Sequence, residues 1–111
     1  MNLKGDKVAS AMIKELGNIF LSEVNNEEIK KATITFIKVT NDLSFAKIYF
    51  TTLSDDKVNA CKELNKACPY FRKLLADRMR IRHIPDLKFV YDESIEYGKK
   101  IEDIIDVINN D

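Results

Sequence analysis

The side chains capable of covalent, acid–base or metal chemistry are few, and their spacing does not bring them together. His83 is the single histidine. It stands between Arg82 and Ile84, and no serine or cysteine lies in a nucleophile motif that it could serve. Cys61 and Cys68 lack a second Cys or His pair at metal-ligand spacing. On one continuous helix their seven-residue separation would be about 10 Å, too far for a disulfide, so they read as small apolar filler. The acidic pairs Asp55-Asp56 and Glu102-Asp103 are sequence neighbours. Successive positions do not face a common point, so a two-carboxylate centre is not indicated. Gly5, Gly17 and Gly98 are scattered and form no phosphate loop. The expectation is a protein with no catalytic residues, no metal and no cofactor.

The cations are more informative. Residues 62–82 hold Lys62, Lys66, Arg72, Lys73, Arg78, Arg80 and Arg82 against only Glu63 and Asp77. On a helix over 70–82, Arg72, Lys73, Ala76 and Arg80 share one arc, which would face solvent. Phe71, Leu74, Leu75, Met79 and Ile81 share the opposite, core-facing arc. Arg78 and Arg82 fall within the apolar arc and must run along its edge or pair with acids such as Asp86 or Asp92. Arginine forks bidentately onto phosphate and stacks on bases, and a break in the helix at Ala67-Cys68-Pro69 offers backbone N–H groups to an anion. The pattern points to a polyanion, with Arg72, Lys73 and Arg80 as the main phosphate contacts and Arg82 partly structural. Lys66, Ala67, Cys68 and Pro69 lie beside them.

These residues are carried by a chain of 111 residues, 45% hydrophobic, enough for one packed domain. Val8, Met12, Leu16, Ile19, Phe20 and Val24 recur at helical spacing, predicting a first helix over 7–24 with Asp6 as its N-cap. The polar run Asn25–Glu28 ends it. Residues 32–40 and 45–53 are β-branched and aromatic, joined by the turn Asn41-Asp42-Leu43-Ser44, and predict a hairpin. Ala46, Ile48 and Phe50 alternate with Lys47, Tyr49 and Thr51, so one face is core and the other open. The first strand alternates less cleanly, which implies a bulge or burial on both faces. Ser54 or Asp55 caps a helix over 56–67, with Val58, Cys61 and Leu64 toward one side. Pro69 breaks it and suits the first turn of the next helix. Ile84-Pro85-Asp86 stops that helix, 87–91 forms a third strand, and Ser94 caps a last helix over 95–109 with an isoleucine stripe. Ile48, Phe50, Leu74, Leu75, Leu87 and Phe89 are expected to be buried.

Charge is zero overall but unevenly spread. Residues 92–111 carry seven acids against Lys99 and Lys100, leaving residues 1–91 basic by the same margin. No run is long enough to span a bilayer and the N-terminus has no apolar signal region, so a cytoplasmic, monomeric protein without membrane contact is expected.

Three motifs in order resemble a known family. Asp42-Leu43-Ser44-Phe45-Ala46-Lys47-Ile48-Tyr49 is similar to the Asp-Leu-x-x-Ala-Lys-Val-Tyr hairpin of ribosome-binding factor A. Ala67-Cys68-Pro69-Tyr70-Phe71-Arg72 matches its helix–kink–helix, with Pro69 where the family usually has glycine. Arg80-Ile81-Arg82-His83-Ile84-Pro85-Asp86-Leu87-Lys88-Phe89 resembles its Arg-x-Arg-x-x-Pro-Glu-Leu-x-Phe segment. The similarity runs from about Lys4 to Ile108. It implies an α+β, type II K-homology-like domain over 1–93, ordered α-β-β-α-(kink)-α-β, with a short acidic helix over 94–111. It implies a factor without enzymatic activity that binds the free, immature small ribosomal subunit and its rRNA and assists late maturation. In that reading Lys4 and Lys7 at the start of the first helix, and Lys47 and Tyr49 on the open sheet face, extend the RNA surface. The rival reading is a protein–protein adaptor that uses the C-terminal isoleucine stripe.

Overall fold

The computed structural model describes residues 3–94. The predicted last helix and its isoleucine stripe lie outside the described residues. The element order is α1 (Leu3–Ser22), α2 (Glu27–Lys30), β1 (Ala32–Val39), β2 (Phe45–Thr52), α3 (Lys57–Lys66), α4 (Cys68–Arg78) and β3 (Asp86–Tyr91).

Helix α1 buries the whole stripe of Val8, Met12, Leu16, Ile19, Phe20 and Val24. It begins earlier than expected, at Leu3, so Asp6 is not the N-cap. It lies within the first turn, where its charge complements the helix dipole. The polar run after α1 is also more ordered than its composition suggests. Asn26 accepts hydrogen bonds from the Glu28 and Ile29 N–H groups at 2.9 and 3.3 Å and caps the single turn of α2, which buries Ile29.

The sheet order is β1-β2-β3, with β1 antiparallel and β3 parallel to β2. The uneven alternation of β1 is a bulge: pairing runs Ile34↔Phe50, then Phe36↔Tyr49, skipping Thr35. The extra residue keeps Ile34, Ile37 and Val39 with the core face while Phe36 points to the open one. At the hairpin, Asp42 Oδ1 accepts from the Thr40 hydroxyl at 2.8 Å and from the Ser44 hydroxyl and N–H at 2.7 and 3.1 Å. Leu43 takes φ 61°, the left-handed conformation the turn needs.

Asp56, not Ser54 or Asp55, caps α3, by accepting the Asn59 N–H at 3.0 Å. Ser54 Oγ instead accepts the Asp56 N–H at 3.2 Å and orients the cap. Val58 is 81% exposed, and Ala60 joins Leu64 as the buried side of this helix. The break falls at Ala67, with Pro69 in the first turn of α4. Phe20, Phe71, Phe89 and Phe50 then form a chain of ring contacts, 5.3–6.3 Å between centroids, that locks α1 and α4 onto the sheet. Ile48, Phe50, Leu75 and Phe89 are buried as expected, whereas Leu74 and Leu87 are only half-buried against the same core.

The largest departure is the end of α4. The helix stops at Arg78, and Met79 is extended at φ −101°, ψ 131°. Residues 79–85 form a lead-in that buries Met79, Ile84 and Pro85 and carries the chain to the start of β3. A parallel partner for β2 must begin beside Phe45, so the chain has to leave the helix early enough to reach it.

Candidate nucleic-acid interface

Each predicted RNA contact can be placed on this frame, and they do not form one arc. Arg72 does not face solvent freely. Its Nε donates to the Pro85 carbonyl at 3.2 Å and its Nη2 to that of Ile84 at 2.9 Å, while Nη1 lies 3.3 Å from Asp86. The guanidinium therefore fastens the lead-in of β3 to α4. Arg78 is also committed, to Glu15 at 3.6 Å and Glu23 at 3.1 Å on or just after α1, rather than to Asp86 or Asp92. Arg80 lies outside the helix and so does not share a helical arc with Arg72 and Lys73; it is exposed. Lys66, Lys73 and Pro69 are exposed along the helix pair.

At the break, the Ala67 N–H is not free: the carbonyls of Glu63 and Leu64 both lie 3.2 Å from it. Cys68 is buried, its thiol 3.6 Å from the Leu64 carbonyl, and burial pushes its pKa up to about 11. Cys68 thus packs the core as a neutral thiol and presents no side chain to RNA. Ala67 and Pro69 remain as the small, accessible side of the kink.

Three cations far apart in sequence do converge. Lys4 and Lys7 of α1, Arg82 and His83 of the lead-in, and Asp42 and Leu43 of the hairpin turn line a cleft of about 410 Å³. None of Lys4, Lys7 and Arg82 forms an ion pair among the described residues, so their charge is available to an external anion. Arg80 precedes this cleft by one residue. The place of His83 and the turn in this cleft was not visible in sequence, because only the fold brings residues 4, 42 and 82 together. Lys47 and Tyr49 sit elsewhere, on the sheet face opposite the helices, with Lys47 Nζ 5.3 Å from the centre of the Tyr49 ring.

Among the described residues there is no cluster of His, Cys, Asp and Glu able to hold a metal, and no helix is long and apolar enough to cross a membrane. A helix–strand–strand–helix–helix–strand order around one three-stranded sheet, with helices on one face, is a type II K-homology-like fold, and the free cations suit a nucleic-acid-binding member of that class.

Comparison with known proteins sharpens the class. Residues 4–105 match the family model described as ribosome-binding factor A. The chain is 44% identical over 106 residues to ribosome-binding factor A of Staphylococcus epidermidis, covering 94% of this chain and 91% of that one. It is 38% identical to that of Macrococcus caseolyticus, over 100% and 99% of the two chains. The crystal structure of ribosome-binding factor A from Thermus thermophilus superposes with a TM-score of 0.70 at 18% identity, over 78% of this chain and 94% of that one. A homology model of the Thermus thermophilus factor, fitted into the cryo-EM map of its 30S complex, gives a TM-score of 0.61 at 18% identity, over 85% and 97%. The chain belongs to the ribosome-binding factor A family, a family of non-enzymatic assembly factors.

Proposed function

We propose that this protein is a bacterial cytoplasmic assembly factor that binds the immature small ribosomal subunit through rRNA phosphates and assists its late maturation. The observation that carries the reading is the convergence of Lys4, Lys7 and Arg82 on one cleft without ion-pair partners among the described residues. Asp42 lines the same cleft, but its carboxylate is taken up by Thr40 and Ser44, so the three cations keep their attraction for a polyanion, and each phosphate neutralised releases counterions. Arg80, Lys73, Lys66 and the Ala67–Pro69 kink extend the contact along the helix pair, and Lys47 adds a charge on the sheet. Arg72 supports this surface by holding the lead-in that carries Arg80 and Arg82. Family membership supports a ribosomal target, and the Thermus thermophilus relative has been fitted in complex with a 30S subunit.

Co-sedimentation of the purified full chain with free small or large subunits tests the reading. Binding to small subunits should exceed binding to large ones clearly at physiological salt. Equal pelleting with both would reduce the interaction to nonspecific charge attraction.

A further inference from the structure

Among the described residues, the helices cover one face of the sheet and leave the other open. The pairing register sets Lys38, Lys47 and Lys88 side by side across all three strands on the open face. The next row along the strands is Phe36, Tyr49 and Val90. Phe36 is 54% exposed, and its ring lies 6.0 Å from that of Tyr49 at 41°. Neighbouring strands are about 4.8 Å apart, so three positive side chains start from adjacent backbone positions, and like charges directly opposite destabilise a sheet. No carboxylate pairs with any of the three among the described residues. An anion from outside would relieve the row. Aromatic faces immediately beside it add a second requirement, a ligand with flat, apolar rings. Unpaired nucleotides meet both conditions, because their phosphates and bases are accessible together, whereas a duplex hides its base faces. Asp86 begins β3 and Asp92 follows it, its Oδ2 accepting the Thr35 hydroxyl at 2.6 Å, so carboxylates bound the tract at both ends and keep it short.

We propose that the open sheet face is a platform for a short single-stranded RNA segment, whose bases stack on Phe36 and Tyr49 while its phosphates meet the Lys38–Lys47–Lys88 row. The platform rests on the RNA-binding reading above and adds to it a second surface with a different preference, for unpaired rather than helical RNA. The chain contains no tryptophan, so Phe36→Trp in the full chain places a single fluorescent reporter on the face. Oligouridylate should quench its emission, while heparin, a polyanion without bases, and a blunt RNA duplex should not. Phe36→Ala should weaken oligouridylate binding between about fivefold and a hundredfold and leave heparin affinity and the melting temperature unchanged. Equal quenching by heparin, or oligouridylate binding without quenching, would overturn the platform. So would an emission already blue-shifted in the free protein, since another part of the chain would then cover the face. Small-subunit binding without quenching would remove the platform and leave the assembly-factor reading standing. Quenching without subunit binding would do the reverse.

Discussion

Arg72 illustrates how a residue's type and its task can separate. Its position on α4 and its planar fork suit phosphate, yet all three of its nitrogens are engaged within the domain, by the carbonyls of Ile84 and Pro85 and by Asp86. Hydrogen bonds from a charged donor contribute about 1.5–3 kcal/mol, reduced here because the side chain is 37% exposed. Arg72→Ala should therefore lower stability by about 1–2 kcal/mol, visible as a lower melting temperature. Arg72→Lys should not restore it, because a single ammonium cannot serve both carbonyls in the same geometry. Asp42 offers a second test at this scale. Hydrogen bonds from the Ser44 hydroxyl, then from the Ser44 N–H and the Thr40 hydroxyl, hold its carboxyl at about 2 instead of the ordinary 3.8. A depressed folded value means the turn is supported fully above the unfolded pKa and loses that support as pH falls through about 2. An NMR pH titration should show the Ser44 amide moving with that midpoint, and Asp42→Asn should abolish the transition. The cations were legible in the sequence. Their partners were not, since Arg72 reaches residues 84–86 and Arg78 reaches residues 15 and 23 only through the fold.

At the scale of elements, periodicity located α1, the hairpin and β3, because a stripe at 3.6 or 2 residues reports directly on a buried face, and Pro69 located the helix break. It misplaced the end of α4, since Met79-Arg80-Ile81-Arg82 would suit a helix by composition. The deciding constraint is tertiary: the chain must reach the open edge of β2. Short-range pattern also gave no hint of Asn65. Its side chain donates to the Phe89 carbonyl at 3.0 Å and accepts the Phe89 N–H at 2.8 Å, closing the outer edge of β3 against α3. An unpaired strand edge invites pairing with other chains, so this amide acts against aggregation as well as for stability. Asn65→Ala leaves the Phe89 N–H without its partner and the Phe89 carbonyl with only the Cys61 thiol at 3.4 Å, and should cost about 1–3 kcal/mol in a urea titration. Asn65→Asp keeps only the acceptor and should recover less than half of the loss. If both variants melt like the parent, the edge is held by something other than Asn65.

For the whole molecule, the charge asymmetry and the three ordered motifs carried the functional reading, while the fold decided which basic residues are available. Those available lie at the start of α1, in the lead-in to β3, along the exposed side of the helix pair and across the open sheet. The central claim, that the cleft at Lys4, Lys7 and Arg82 binds rRNA phosphates, is tested most directly by the salt dependence of small-subunit binding. With three or four phosphates neutralised at about 0.7–0.9 per contact, the log–log slope for the parent chain should be about −2 to −4. Replacing Lys4, Lys7 and Arg82 together by Ser, with melting curves to confirm the fold, should weaken binding and flatten the slope by about two to three contacts' worth. A folded triple variant with parental affinity and an unchanged slope would contradict the account.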